Sequence, residues 1–186
     1  SAERPALNFL QTLSATASRT AEYVAALAGS RTRVLDTRKT LPGLRQAQKY
    51  AVRAGGGLNH RMGLYDAVML KENHIHAAGS IAAAAAAARA MHPALPLIIE
   101  VEDLHELDQA LATDCDRLLV DDFSLEALRE AVRRAAGRTP LEVSGGVTLA
   151  RLAEIAACGV DYVSVGALTK HVQALDLSLR LGPPPR

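Results

Sequence analysis

Leu97-Ile98-Ile99-Glu100-Val101 is followed by the stretch Leu104 to Thr113, then by Arg117-Leu118-Leu119-Val120, then by Ser124 to Ala136. The two short runs are too apolar to leave one face in water. They suit strands buried on both faces, as in the interior of a parallel sheet. The stretches between them have helical character, and strand alternating with helix gives βα units. Working outward, the pattern repeats at Arg33 to Leu35, Ala67 to Leu70, Leu141 to Val143 and Tyr162 to Val165. Helical stretches fall at Leu44 to Ala54, Ser80 to Met91 and Thr148 to Cys158. A long first helix over Ala6 to Ala28 is closed by Gly29. Ser124 is a good N-cap, and Pro42 and Gly55 bracket the Leu44 helix. The alanine run Ala82 to Ala88 reads as packed helix, because alanine is the best helix former.

Six βα-type strands can be counted. A complete eight-stranded barrel takes roughly 200 to 250 residues, and the chain has 186. The fold class is therefore α/β, either an incomplete βα (TIM-like) barrel or an open doubly wound sheet, and the pattern alone does not separate them. The end of the chain differs. Leu175, Leu177, Leu179 and Leu181 alternate with Asp176, Ser178 and Arg180. Strict period two predicts a half-buried strand. No other stretch offers it a partner, so the partner is expected outside this chain or on another subunit. The expected organisation is a leading helix over 1–30, a catalytic βα domain over 31–172, and a C-terminal strand and tail over 173–186.

Composition sets the remaining bounds. Apolar residues make up 49% of the chain but aromatics only 3%, so the core must be built from Ala, Leu, Val and Ile. A net charge of +1 gives no global reason to expect nucleic acid or a membrane surface as partner. Any basic site must come from local clustering. Cys115 and Cys158 have neither disulfide nor zinc spacing and are expected as free thiols of a cytoplasmic protein. No apolar stretch reaches membrane-spanning length, and no leader pattern is read at the start.

Ligands of βα barrels and open α/β sheets sit at the carboxyl ends of the strands. The residues there follow an order. Asp36, Thr37, Arg38, Lys39 and Thr40 follow the first run and Lys71 ends the second. Glu100 and Glu102 mark the third, Asp121 and Asp122 the fourth, Ser144-Gly145-Gly146 the fifth and Gly166 the sixth. Arg38, Lys39, Arg61 and Lys71, with His60 beside them, call for a multiply anionic ligand. Glu100 and Asp121 can hold Mg²⁺ through its waters or accept bonds from sugar hydroxyls. Glycine loops after the last strands, ahead of helices, suit a phosphate. The residues thus imply a site for a phosphorylated sugar, a cation such as Mg²⁺ and a polyanionic second substrate.

Asp36-Thr37-Arg38-Lys39-Thr40-Leu41-Pro42-Gly43-Leu44 and Gly55-Gly56-Gly57-Leu58-Asn59-His60-Arg61 are the most specific blocks. Lys49-Tyr50-Ala51-Val52-Arg53, Lys71-Glu72-Asn73-His74-Ile75, Ile99-Glu100-Val101-Glu102, Ser144-Gly145-Gly146 and Val165-Gly166-Ala167-Leu168-Thr169 accompany them in order. In these blocks the chain resembles the quinolinate phosphoribosyltransferase family over nearly its whole length. The resemblance implies an incomplete βα barrel working with an N-terminal α/β sandwich domain that this chain lacks, in a homodimer. It implies transfer of a phosphoribosyl group from phosphoribosyl pyrophosphate to the ring nitrogen of quinolinate. Decarboxylation then gives nicotinate mononucleotide, with Mg²⁺ as cofactor, a step of NAD biosynthesis. By motif match, Arg38, Lys39, His60, Arg61 and Lys71 bind quinolinate, and Arg4 is donated to the partner subunit's site. Glu100 and Asp121 serve the ribose and the metal, while Ser144, Gly145, Gly146 and Gly166 form the 5′-phosphate cradle. Lys39, Lys71, Glu100 and Asp121 are the catalytic candidates.

Three other readings compete. One is a barrel that binds ligands without turnover. A second is a phosphosugar Schiff-base aldolase using Lys71. The third is a metal hydrolase using His74 and His76, for which later strands offer no histidine at their ends. A hydrogen-bonding role fits His74 better, and His92 and His105 are expected at the surface.

Overall fold

The chain is seen in a computed structural model that describes residues 2–180 and 182. It opens with helix α1 (Glu3–Ala26), followed by β1 (Arg33–Leu35), α2 (Arg45–Ala54), β2 (Val68–Leu70), α3 (Glu72–Ala78) and α4 (Ile81–Met91). Then come β3 (Leu97–Val101), α5 (Leu104–Leu111), β4 (Arg117–Asp121), α6 (Leu125–Ala135) and β5 (Leu141–Ser144). A 3₁₀ turn (Leu149–Arg151), α7 (Leu152–Ala157), β6 (Tyr162–Ser164) and α8 (Ala167–Lys170) complete the order. All six expected strands form. They make one parallel sheet in the order β1-β6-β5-β4-β3-β2. The two strands first in sequence are thus its two edges, and the fold is an incomplete βα barrel opened between β1 and β2.

The helices form where the local chemistry starts and stops them. The Ser124 hydroxyl accepts from the Ala127 amide at 3.1 Å, as its N-cap position requires, and Ser80 does the same for Ala83. The Asp103 carboxylate accepts from the amides of His105 and Glu106. The alanine helix α4 packs through Ile81, Ala84, Ala85 and Ala88, with the alanines between them exposed. Two helices were not anticipated. α3 buries no residue, so it carries no apolar period to read, and α8 has only four residues.

The strands depart from the expectation of two apolar faces. The helix-facing side is apolar: Ile99, Val101, Leu118, Val120, Leu141, Val143 and Val163 pack with Leu107, Leu128, Leu152 and Ile155 in one core. Inside the barrel Ala67, Met69, Ile98 and Leu119 form a separate small cluster. The other inward positions carry Glu100, Glu142, Ser144 and Ser164, which reach the pocket described below. A period of two is present, masked in sequence by isolated leucines and isoleucines on the polar side.

The leucine-alternating end forms no ladder among the described residues. Residues 171–180 run without regular structure, anchored by the Leu175 amide donating to the Gln11 carbonyl at 3.2 Å. Leu175 and Leu179 are exposed, and Leu181 lies outside the described residues. The predicted strand is therefore not seen in this chain, as a half-buried strand cannot form without a partner ladder.

α1 lies against the end of α2, and glycine makes the approach possible. A Cβ on Gly55 would fall 2.3 Å from the Ala17 carbonyl oxygen, and one on Gly57 would fall 2.7 Å from Thr20 Cγ2. Gly55→Ala is therefore expected to force the two helices apart and cost roughly 1–3 kcal/mol. Urea denaturation checks this, and an unchanged midpoint would contradict the close packing.

Candidate active site

The pocket at the carboxyl end of the strands is built on one buried ion pair. Asp36, just past β1, is fully buried, and Lys49 on α2 reaches it from below at 1% exposure. The Asp36 carboxylate also accepts from Asn59 Nδ2 at 2.6 Å and from the His60 amide at 2.8 Å. Lys49 Nζ donates in turn to the His60 carbonyl at 2.8 Å. His60 is thus gripped at both its backbone groups. Burial pushes the Asp36 carboxyl up, against the pull of Lys49, the His60 amide and Asn59. The backbone joins in: the Leu58 amide donates to the Val34 carbonyl, and the Asp36 amide to the Leu58 carbonyl. On the far side of the gap Arg61 Nη1 donates to the Ala67 carbonyl at 2.9 Å, at the entrance to β2.

The loop carrying Arg38 and Lys39 is held by its own backbone. Arg45 donates to the carbonyls of Arg38 (3.0 Å) and Met62 (3.2 Å) and to the Thr40 hydroxyl. The Lys39 carbonyl accepts from the Thr169 hydroxyl at 2.8 Å, while Gln48 bridges the Leu41 amide and the Thr169 carbonyl. None of these bonds uses a charged tip of Arg38 or Lys39, so the cationic ends are left for a ligand.

A pocket of about 320 Å³ results, lined among others by Arg38, Lys39, His60, Arg61, Lys71 and Glu100. Among the described residues Arg38, Lys39 and Arg61 form no ion pair; Lys71 alone of the four cations is paired, to Glu100. Burial, and then the neighbouring charge of Arg38, hold the Arg61 guanidinium below its ordinary range. Close cations with no carboxylate between them are an electrostatic cost that an anionic ligand removes. His74 keeps Lys71 in place, its Nδ1 accepting from the Lys71 amide at 3.0 Å. That is the hydrogen-bonding role expected of it, and His92 and His105 are exposed as expected.

The remaining sequence candidates divide. Ser144 lines the pocket with the cations. Asp121 and Gly145 are not among its lining residues; they sit together at the carboxyl ends of β4 and β5, where a Cβ on Gly145 would fall 3.2 Å from Asp121 Oδ1 and 2.9 Å from the Asp122 amide nitrogen. Gly145 and Gly146 both have positive φ, the conformation that favours glycine. Gly166 lies against the Lys39 side chain. Arg4 does not join this pocket; it is exposed in the first turn of α1. Thr37, just after the first run, also lines the pocket, and the lining residues not singled out in sequence are Met69, Leu119, Glu142 and Ser164. All four stand two residues before a recognised strand-end position (Lys71, Asp121, Ser144 and Gly166), so the period of two is the signal that marks them.

Glu142 is the most informative of them. It is fully buried on β5, and its Oε2 accepts from Arg117 Nη1 at 2.9 Å. Its Oε1 lies 3.4 Å from His60 Nε2. A second hollow of about 400 Å³ opens near the amino ends of β4 and β6, lined by Arg53, Arg117, Asn59 and Tyr162 among others. There Arg117 is already engaged by Glu142 and stacked on Tyr162, which leaves Arg53 alone outside any ion pair among the described residues, against Arg38, Lys39 and Arg61 together in the carboxyl-end pocket.

Residues 16–180 match the model of the quinolinate phosphoribosyl transferase C-terminal domain. The chain belongs to this family. A nicotinate-nucleotide pyrophosphorylase [carboxylating] of Mycobacterium leprae is 47% identical over 183 residues, covering 97% of this chain and 64% of that protein. A mitochondrial quinolinate phosphoribosyltransferase [decarboxylating] of Nicotiana tabacum is 40% identical over 199 residues, covering 97% of the chain and 56% of that protein. The structure of the Francisella tularensis nicotinate-nucleotide pyrophosphorylase superposes with a TM-score of 0.93 at 50% identity, over 95% of this chain and 63% of that one. The chain thus spans somewhat under two thirds of the length of these relatives.

Burial pushes the Glu142 carboxyl up, but His60 and Arg117 outweigh it and hold the group below its ordinary value of 4.5. A depressed carboxyl contributes stability that is present above that value and lost as pH falls through the folded pKa. The stability margin over a Glu142→Gln variant is therefore expected to be full at neutral pH and to shrink below pH 4.5. Parallel denaturation series across pH check this, and a margin that does not change with pH would contradict it.

Proposed function

We propose that this chain forms the phosphoribosyl-transfer site of a nicotinate-nucleotide pyrophosphorylase, with quinolinate and phosphoribosyl pyrophosphate as substrates. The observation that carries this reading is the group of unpaired cations, Arg38, Lys39 and Arg61, beside Lys71 in one pocket. Quinolinate brings two adjacent ring carboxylates, and guanidinium groups suit carboxylates through paired N–H donors. As the dianion enters, Lys71 passes from Glu100 to a ligand carboxylate, and Glu100 is freed to face the sugar.

Attack by the ring nitrogen on the anomeric carbon breaks the bond to pyrophosphate. Positive charge builds on the ribose in the transition state, where the carboxylates of Glu100 and Asp121 stabilise it. The ring nitrogen then becomes cationic, so the bond to the neighbouring carboxylate breaks with loss of CO₂. The electron pair left on the ring carbon is stabilised by that charge until it takes a proton from solvent water, which completes the C–H bond of the product. Arg38, Lys39 and Arg61 fix the dianion relative to the sugar, with His60 lining the pocket beside them and accepting from the Arg61 amide, and positioning of this kind supplies a large part of such rate enhancements. Ser144, Gly145, Gly146 and Gly166 offer backbone amides to the 5′-phosphate.

Asp121, half-buried at the end of β4 and outside any ion pair among the described residues, fits a Mg²⁺ ion held mainly by water and substrate oxygens, with Glu100 on the adjacent strand β3. Bound there, the ion would neutralise charge on the pyrophosphate. Arg4, exposed and away from this pocket, suits donation to a second subunit's site in a homodimer. Buried, unpaired Cys115 and Cys158 suit the reducing cytoplasm. Among the described residues no helix is long and apolar enough to cross a membrane. The aldolase reading is disfavoured because Lys71 is 44% exposed and paired with Glu100, whereas a Schiff-base lysine is activated by desolvation.

Calorimetric titration with quinolinate and with nicotinate, its one-carboxylate analogue, tests the reading. Quinolinate is expected to bind at least about tenfold more tightly, the equivalent of roughly 1.4 kcal/mol. Arg61→Ala is expected to remove most of that preference. Equal binding of the two acids, or no binding of either, would count against it.

A further inference from the structure

A glutamate with no access to solvent needs a reason, because taking a carboxylate out of water costs several kcal/mol unless its partners are well placed. Glu142 has two partners. Arg117 satisfies Oε2, and the Arg117 guanidinium is itself held against the Tyr162 ring, 4.4 Å from its centroid. Oε1 lies 3.4 Å from His60 Nε2, within reach but not in a formed hydrogen bond: neither atom has a hydrogen-bond partner among the described residues, so each is a buried polar atom that only the other is placed to satisfy. His60 Nδ1 is already committed, accepting from the Arg61 amide at 2.7 Å. A neutral imidazole has one donor and one acceptor nitrogen. With Nδ1 accepting, the proton must sit on Nε2, facing Glu142.

We propose that Glu142 is a positioning residue for the quinolinate site: it locks the His60 ring in its Nε2–H tautomer, so that Nδ1 holds the Arg61 amide and no lone pair meets the dianion. The chain of contacts runs Tyr162, Arg117, Glu142, His60, Arg61, from the amino end of the barrel to the binding cations. Asp36 and Lys49 grip the His60 backbone, and Glu142 orients its ring, two constraints on one residue from different strands. A carboxylate that orients a histidine from behind is a common arrangement in metal sites, where removing it costs about 10–100-fold in affinity or activity. Here the oriented ring lines a pocket for carboxylates. The inference rests on the quinolinate reading for its consequence but not for its geometry.

The test combines ¹⁵N NMR of the His60 imidazole, assigned by its loss in His60→Asn, with quinolinate calorimetry. In the unmodified protein the spectrum is expected to show a single Nε2–H tautomer. Glu142→Gln has one acceptor oxygen for two donors. It is expected to give mixed tautomers and about tenfold weaker quinolinate binding. In Glu142→Gln with Arg117→Met the amide oxygen is free to face His60. This double variant is expected to restore the tautomer and bring affinity back to within about twofold, and it remains informative if the single variant does not fold. Retained tautomer and affinity in Glu142→Gln, with only stability lost, would overturn the proposal, as would failure of the double variant to recover. If the unmodified protein binds no quinolinate, the functional reading fails, while the tautomer alone still decides whether Glu142 orients His60.

Discussion

The Asp36 carboxylate is the point on which the barrel and its site both depend. A βα barrel missing strands has a gap, and here the gap lies between β1 and β2. It is bridged by a loop rather than a ladder. Asp36 collects Lys49, Asn59 and the His60 amide, and this brings the segment 58–61 alongside β1. A fully buried carboxylate with three donors is held only while all of them stay in place. The same bonds that close the gap therefore fix where His60 and Arg61 stand.

Rigidity below allows charge to be left open above. Backbone carbonyls absorb the donors of Arg45, Thr169 and Lys49, so the loops need no help from the tips of Arg38 or Lys39, and Arg61 spends one donor on the Ala67 carbonyl while forming no ion pair among the described residues. The site is consequently preorganised and electrostatically unfinished. Lys71 and Glu100 represent the opposite choice, a pair that neutralises itself. Fixed cations on one wall and a self-neutralised pair on the other suit a reaction in which one substrate is anionic throughout and the other becomes cationic in transit.

Much of this was legible in the sequence. The six strands announced themselves because their helix-facing sides are uniformly apolar, and the site residues because ligands of this architecture gather at strand ends. What stayed hidden has physical causes. Glu142 sits between Leu141 and Val143, so its inward direction was concealed in an apolar run. The Asp36–Lys49 pair is thirteen residues apart in sequence and joins a strand end to a helix, with no local periodicity to mark it. α3 shows no apolar face because it buries none. The leucine alternation after residue 174 was read for its pattern, which a strand can realise only with a partner beside it.

The most direct measurement is a crystal structure of this chain with pyridine-2,3-dicarboxylate bound. The account requires both carboxylates to lie within hydrogen-bonding reach of Arg38, Arg61 and Lys71, with the Lys71–Glu100 pair separated. Binding instead at the amino-end hollow, between Arg53 and Arg117, or at the carboxyl-end pocket with Lys71 still on Glu100, would contradict it.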